Sequence, residues 1–220
     1  MSQHIRLTRT PRLRPTLLAL AVALLSVIAP GLAFASEPSA LDGLPIVRII
    51  VDRYNIFDTT DPKTSTWPYR AANSIHITSR DRFIRSMLLF SEGDNYNEAK
   101  AAESARLLRA LGIMNPVEIT AVEVEGGVEV TVVTHDQWSL QIGADAGLSG
   151  NRGNFGIQLQ EENFLGWGKY LNLGYDSDVE RDTWSYGYRD PNIFGSRWMT
   201  ELIYEDRTDG VLKKVRVERP

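Results

Sequence analysis

Two hydrophobic patterns divide the chain near Trp138. The second half shows no helical periodicity, and apolar and polar residues alternate there with a period of two. Because successive side chains of a strand point to opposite faces, each alternating segment predicts a β-strand with one apolar and one polar face. Six segments follow this pattern: residues 140–148, 155–160, 171–176, 184–189, 198–205 and 211–218.

The first half mixes strand and helix patterns. Residues 46–58 are rich in β-branched residues and predict a strand, whereas the polar residues 59–74 predict a loop. Residues 78–81, Thr-Ser-Arg-Asp, fit a helix capping box. The apolar positions of residues 80–90 repeat at helical spacing, which predicts a first helix.

A second helix and a hairpin complete this half. Asn97 is a favourable N-cap residue, the apolar residues of 98–111 form one stripe, and Gly112 occupies the position of a C′ glycine. Two alternating runs then flank Gly126–Gly127, which predicts a tight hairpin turn. The predicted order is strand, helix, helix, strand, strand, which is an α+β domain over residues 46–137.

The alternating half is compatible with a soluble β-sandwich or with part of a membrane barrel. Its apolar rows are bordered by aromatic residues, and its polar rows combine Gln, Asp, Asn, Glu and Arg with many glycines. Aromatic girdles and a polar interior are typical of outer-membrane barrels, so the pattern favours a barrel over residues 138–220. The bordering aromatic residues are Trp167, Tyr170, Trp184 and Trp198.

The N-terminus has the three regions of a secretory signal peptide. Four arginines precede the first acidic residue, residues 16–29 are almost wholly apolar, and Ala33-Phe34-Ala35 has the small-x-small cleavage pattern. We expect cleavage after Ala35, so that residues 1–35 are the signal and residues 36–45 a short lead-in. The alternative is an uncleaved anchor, for which the apolar run is short.

Charge and cysteine content exclude several classes of function. Without the signal, the chain has 20 Lys plus Arg against 28 Asp plus Glu, a net charge of −8, which disfavours nucleic-acid binding. The sequence contains no cysteine, so a thiol nucleophile, a disulfide and a cysteine-ligated zinc site are all excluded.

No catalytic constellation is predicted. His135, Asp136 and Ser139 lie within one strand-like segment, where neighbours do not converge on one point. Gly166-Trp167-Gly168 does not continue into a dinucleotide-binding pattern. Acid-rich residues 176–182 predict a solvated loop. We therefore expect a protein that is not an enzyme and has no cofactor and no metal site.

The combination of these segments resembles the outer-membrane assembly-factor superfamily of BamA- and TamA-like proteins. The strand-helix-helix-strand-strand order is similar to that of their periplasmic POTRA domains. The barrel half resembles the bacterial surface antigen barrel of the same superfamily. The motifs that carry the resemblance are LLFSEGDNY and ESARLLRALG in the first half, and EENFLGWG, YRDPNIFGSR and DRTDG in the second.

The resemblance implies a position in the outer membrane, with the POTRA-like domain in the periplasm. Residues 163–168 and 190–196 would be periplasmic turns, and residues 151–153 and 179–182 external loops. The partners would be outer-membrane lipid, unfolded outer-membrane or secreted client proteins, and periplasmic accessory proteins. Because the family's barrel is larger than six strands, the sequence resembles a fragment whose barrel is incomplete at Pro220.

Two strands are candidate surfaces for client proteins. Residues 118–125 predict an edge strand of the POTRA-like sheet, to which an extended client segment could add; a merely structural edge protected by glutamates is the alternative. The first barrel strand, residues 139–147, would form a weak seam with the last strand of a family barrel; ordinary interior glycines are the alternative. The edge residues are Ile119, Thr120, Ala121, Val122 and Glu123, and the seam residues are Leu140, Gln141, Ile142, Gly143, Ala144 and Asp145.

Three functions are compatible with the sequence. The first is assembly or insertion of outer-membrane proteins by β-augmentation of client strands. The second is a transporter of the two-partner-secretion type. The third is a soluble periplasmic binding module whose second half is a β-sandwich.

Overall fold

The computed structural model describes residues 39–149 and 152–219. The predicted signal peptide, residues 36–38 of the lead-in, Asn151 and Pro220 lie outside the described residues. Those described residues form two β-sheets, one in each half of the sequence. We call them the small sheet, of three strands, and the large sheet, of six strands.

The small sheet has the strand order β1-β3-β2, with β1 parallel and β2 antiparallel to β3. Its elements follow the predicted order, except that one additional helix, α1, lies between β1 and the first predicted helix. The elements are β1 (Ile46–Tyr54), α1 (Trp67–Ile75), α2 (Asp81–Met87), α3 (Glu98–Ala110), β2 (Met114–Val124) and β3 (Gly127–Asp136).

The core of the first half lies between the small sheet and helices α2 and α3. Alternate residues of β3 are buried, with Val128, Val130 and Val132 fully enclosed. Ile84 of α2 and Leu108 of α3 are also fully buried. Period two on the strand and helical spacing on the helices thus direct one apolar face of each element into the same core.

The ends of α3 confirm the predicted caps, whereas the capping box of α2 is wrong. The Asn97 side chain accepts a hydrogen bond from the Lys100 amide, and Gly112 has a φ of +75° just beyond α3. At α2 the N-cap is Arg80, and its side chain makes no capping hydrogen bond. Ser79 has a tertiary role instead, because its amide donates to the carboxylate of Asp136.

Two further predictions in the first half are corrected. Residues 59–74 are not a continuous loop, because α1 occupies Trp67–Ile75. The Phe57 ring contacts Tyr69 edge-on, and Asn73 exchanges hydrogen bonds with the Phe57 backbone, so tertiary contacts stabilise a helix in a polar segment. The hairpin turn is one residue earlier than predicted, because Gly127 already pairs with Val124.

The large sheet is a single antiparallel layer in the order β4-β5-β6-β7-β8-β9. All six predicted strands are present, which corrects the β-sandwich alternative, since these strands form one sheet and not two packed layers. No helix within residues 39–149 and 152–219 is long and apolar enough to cross a bilayer. The strands are β4 (Leu140–Ser149), β5 (Arg152–Glu161), β6 (Tyr170–Ser177), β7 (Asp182–Asp190), β8 (Met199–Arg207) and β9 (Gly210–Glu218).

The strand register collects the apolar residues on one face of the large sheet. Directly opposed residues of antiparallel strands share a face, so a row can be followed across all six strands. This face, called the apolar face below, carries one row made of Ile142, Leu159, Leu173, Tyr186, Tyr204 and Lys213. A second row on the same face comprises Ala144, Ile157, Tyr175, Trp184, Asp206 and Val211.

The opposite face of the large sheet is mostly polar. Gln158 donates to Asn172 on the neighbouring strand, and Lys214 forms an ion pair with Glu201 at 3.0 Å. One complete row on this polar face comprises Gln141, Gln160, Asn172, Gly187, Ile203 and Lys214. The predicted separation of apolar and polar rows is therefore confirmed for most positions. Exceptions on the last two strands are Ile203 and Leu212 on the polar face, and Asp206 and Lys213 on the apolar face.

Gly168 gives a test of how closely the two halves pack. Gly168 and Gly195 both have left-handed φ angles, +61° and +76°, but an added Cβ overlaps the Phe83 ring only at Gly168, and meets nothing within 4 Å at Gly195. We expect Gly195→Ala to cost about 1–2 kcal/mol from the backbone alone. Gly168→Ala should cost about 1–3 kcal/mol more, from overpacking.

Urea unfolding of the full chain in detergent micelles measures both variants. Equal free energies of unfolding for the two variants would contradict the close packing of residue 168 against Phe83.

Candidate functional site: the joint between the sheets and the open strand edges

Two turns of the large sheet, residues 162–169 and 191–198, share one sequence pattern and contact the first half. We call them the first and second joint turns. Each follows the pattern acid-x-Asn-x-x-Gly, which begins at Glu161 and again at Asp190, and each contains one turn of 3-10 helix. Leu165 and Phe194, which precede the glycines, have φ angles of 56° and 54°. Left-handed backbone is uncommon for large side chains, and both turns have it at the same position of the pattern.

Asn163 connects the first joint turn to the first half. Its side-chain nitrogen donates to the Ser79 hydroxyl at 3.0 Å, and its side-chain oxygen accepts from the Gly168 amide at 2.9 Å. Asn163 is only 2% exposed, so these hydrogen bonds are made away from solvent. Loss of the side chain would leave buried polar groups unpaired.

Asn192 makes the equivalent connection from the second joint turn. Its side-chain nitrogen lies 3.1 Å from the Ser86 carbonyl oxygen and 3.0 Å from the Ser86 hydroxyl. The preceding acids have matching roles, since Glu161 accepts from the Asn163 amide and Asp190 from the Asn192 amide. The two asparagines thus attach successive turns of the large sheet to the two ends of the α2 region.

Asp136, the last residue of β3, lies at the centre of the joint. One carboxylate oxygen accepts from the Ser79 amide at 2.6 Å and lies 2.8 Å from Nε2 of His76. The side chains of His76 and Asp136 are both buried. Asp136 thereby holds the segments that follow α1 and precede α2 against the end of the small sheet.

His135, Asp136 and Ser139 do not converge on one catalytic point, as expected for neighbours along a strand. The His135 ring stacks on Tyr54 with 4.6 Å between centroids, whereas Asp136 contacts His76. The Ser139 hydroxyl is buried and makes no hydrogen bond to a described residue. His76 was missed by the sequence analysis because it is 60 residues from Asp136.

Arg80 and Lys169 add charged contacts around the joint turns. The Arg80 amide and guanidinium donate to the carbonyls of Gly166 and Leu165, at 2.8 and 2.9 Å, and the guanidinium lies over Trp167. Lys169 forms an ion pair with Asp190 at 3.1 Å, which connects the first joint turn to the end of β7, directly before the second joint turn. Desolvation opposes the Lys169 ammonium, but hydrogen bonds and charges of Asp190 and Tyr188 raise its pKa above the ordinary value.

β2, the predicted client-binding strand, lies at an edge of the small sheet. Its turn closes with the pair Val124 and Gly127, so the backbone groups of Ile119, Ala121 and Glu123 point away from β3 by the antiparallel alternation. Arg109 caps this edge at one end by donating to the Val117 carbonyl at 2.7 Å. Thr120 and Val122 are exposed on the side-chain face, so all five predicted residues lie along one accessible edge.

β1 forms the other edge of the small sheet, and its first part is covered. The Ile49 amide donates to Glu92 at 2.9 Å, and the Ile49 carbonyl accepts from Arg85 at 2.7 Å. Ile46 pairs through its backbone with Gly93 and Asp94. The edge at β2 therefore has more unpaired backbone amide and carbonyl groups than the first part of the edge at β1.

β4, the predicted seam strand, is an edge strand of the large sheet. Leu140 to Asp145 pair with β5 on one side only, and among the described residues no strand pairs with their other side. An added Cβ at Gly143 would make ordinary contact, 3.9 Å from Gln158 Cβ, so packing does not require glycine there.

No metal-binding cluster of three or more His, Cys, Asp or Glu residues occurs in the described part of the chain. The described residues offer two free strand edges and a polar joint as the candidate site. What this arrangement can do chemically is to pair strands and to hold two sheets together.

Comparison with known proteins identifies a fold but no family. No family model matches the chain, and no curated protein matches it. Among solved structures, it is similar to BamA from Haemophilus ducreyi lacking POTRA domains 1-3, with a TM-score of 0.50 and 17% identity, over 77% of this chain and 31% of that one. CdiB from Acinetobacter baumannii gives a TM-score of 0.43 and 14% identity, over 76% of this chain and 28% of that one.

The chain thus spans about a third of the length of these structures. The likeness to BamA shows the fold: a mostly β chain whose antiparallel sheet is similar to part of that barrel structure.

Replacing Asn163 tests the joint. We expect Asn163→Ala to lower the free energy of unfolding by about 1–3 kcal/mol, because the Gly168 amide and the Ser79 hydroxyl lose a buried partner. The matched control is Asn172→Ala, which removes an exposed hydrogen bond to Gln158 and should cost less than about 0.5 kcal/mol. Urea titration followed by tryptophan fluorescence measures both, and similar losses for the two variants would rule out a buried joint at Asn163.

Proposed function

We propose that this chain is part of an outer-membrane protein insertion or translocation factor, with its large sheet in the membrane. The observation that carries the proposal is the apolar face. Its side chains are exposed across a single-layer sheet, with Ile142 at 72% as an example. The fold similarity to BamA supports the same reading.

A lipid environment is the physical explanation for this face. Soluble monomers rarely expose contiguous apolar patches larger than a few hundred Å². In a membrane barrel the same side chains would face hydrocarbon, and the polar face of the sheet would line the barrel interior. Tyr175 packs against Trp184 and Tyr186 against Tyr204, which provides aromatic contacts between neighbouring strands on the lipid side.

The proposed orientation places the small sheet and its helices in the periplasm. It is supported by the joint turns, since both contact the first half and both join strand ends on the same side of the large sheet. Residues 179–182 then lie on the external side. The proposed partners are outer-membrane lipid, unfolded client proteins and periplasmic accessory proteins.

Client recognition is proposed to occur through strand addition, without covalent chemistry and without a cofactor. An extended client segment would pair with the outward backbone groups of Ile119, Ala121 and Glu123 on β2. The free edge of β4, from Leu140 to Asp145, is the proposed seam at which client strands meet the large sheet. Both edges are supported by their lack of a neighbouring strand within the described residues.

The location is tested by fractionating the native organism. An antibody raised against residues 46–136 should detect the protein in the outer-membrane fraction, and its electrophoretic mobility should differ between boiled and unboiled samples, because membrane barrels resist unfolding by detergent. Detection only in the soluble periplasmic fraction would contradict the proposed membrane role.

The β2 edge is tested with Ala121→Pro. Proline removes the outward amide of residue 121 but none of the hydrogen bonds to β3, and edge strands tolerate it. We expect crosslinking of urea-denatured outer-membrane porin to a photoreactive residue at position 120 to fall about fivefold or more, the equivalent of one hydrogen bond of about 1 kcal/mol.

The matched control for this experiment is Val122→Ala, which trims an exposed side chain and keeps every backbone group. Unchanged crosslinking in Ala121→Pro, with circular dichroism like that of the unmodified protein, would show that clients do not add to this edge.

A further inference from the structure

Helix α1 presents its apolar side to the outside of the protein. Trp67, Ala71 and Ile75 recur at four-residue spacing and so lie on one face. Trp67 is 78% exposed and Ile75 is 64% exposed, and no residue of α1 is buried. The polar Asn73 is on the opposite side and bonds to the backbone of Phe57 and to Asn55. This is the reverse of the usual arrangement for a helix on a soluble domain.

The C-terminal end of α1 leads into an open apolar groove of about 320 Å³. Ile75 and Ile77 form one side of this groove, and Phe164 and Leu165 of the first joint turn form another. Its floor includes Leu159 and Leu173 of the large sheet. These two leucines oppose each other in the apolar face, so the groove joins the exposed side of α1 to that face.

The exposed residues of α1 and its surroundings have the composition of a membrane-interface element. A tryptophan is at the start of the helix, and Arg70 is exposed on the flank of the apolar side. Tryptophan is enriched at the level of the lipid headgroups, and basic residues beside an apolar stripe favour anionic headgroups. The helix has nine residues and is about 13 Å long at 1.5 Å per residue, enough to lie along the interface but not to span a bilayer.

We propose that α1, together with Ile77 and the exposed tip of the first joint turn, lies in the headgroup boundary of the membrane as an interfacial anchor. The occupant of the groove is lipid acyl chain. The anchor holds the first half against the bilayer beside the strand ends of the large sheet. This inference rests on the proposed membrane position of that sheet.

Continuity favours lipid over a protein occupant. A partner protein or a second copy of the chain that filled the groove would have to contact Leu159 and Leu173, which belong to the face proposed to meet hydrocarbon. Lipid can occupy the groove and cover the apolar face of the large sheet as one continuous phase. Burying apolar side chains such as Trp67 and Ile75 in this way is favourable in proportion to the apolar area removed from water.

The absence of cysteine from the sequence allows the anchor to be mapped by single-site labelling. Four variants of the full chain each carry one cysteine: W67C, I75C, L173C and K63C. Each variant is labelled with an environment-sensitive fluorophore and then reconstituted into phosphatidylcholine vesicles. Position 63 is exposed in the polar loop before α1 and is the matched control, and position 173 reports on the large sheet. Vesicles contain phosphatidylcholine with a nitroxide quencher at acyl carbon 5 or carbon 12.

We expect quenching by the carbon-5 lipid at positions 67 and 75 to be at least about twofold stronger than at position 63, since interfacial helices bury their apolar side by about 5–10 Å. Position 173 should also be quenched, by either lipid. Quenching at 173 without quenching at 67 and 75 would overturn the anchor alone. Absence of quenching at 173 as well would overturn both the anchor and the proposed membrane position.

A second copy in the groove gives a different result. Oxidation of I75C at low protein-to-lipid ratio would then yield a disulfide-linked dimer, and quenching by the carbon-5 lipid at position 75 would be no stronger than at position 63. That combination would overturn lipid as the occupant.

Discussion

The buried carboxylate of Asp136 is the contact on which the relation of the two sheets depends. It ends β3, accepts a hydrogen bond from the Ser79 amide and lies within hydrogen-bonding distance of His76, which places the start of α2 and the end of α1 at the same point. Ser79 in turn holds Asn163 of the first joint turn. Burying a carboxylate is costly unless its charge is balanced by hydrogen bonds, so these groups are constrained to one arrangement.

This joint has consequences for the surfaces that remain open. Helices α2 and α3 share a core with the small sheet, and no described strand pairs with the outer edge of β2. Glu92 and Arg85 occupy part of the β1 edge. The joint turns leave the apolar face of the large sheet uncovered. The joint contacts therefore leave two surfaces open: the edge of β2, where strand addition is proposed, and the apolar face of the large sheet, which is proposed to meet the membrane.

The repeated pattern in the two joint turns was visible in the sequence, but its meaning was not. Both segments were predicted to be turns, and they are. That Asn163 and Asn192 insert into the first half, 84 and 106 residues from their partners, could not be read from local pattern. The failed capping box has the same cause, since Ser79 has its hydrogen bonds with Asp136 and Asn163 in place of the α2 terminus.

The sequence by itself determined the six strands of the large sheet, the separation of most of its apolar and polar residues onto opposite faces, and the caps of α3. Alternation and capping are local properties, since each depends on residues a few positions apart. Only the tertiary structure decided that residues 67–75 form a helix with its apolar side outward, that His76 meets Asp136, and that the first part of β1 is covered. These features depend on contacts between distant residues, whose energies outweigh local propensity.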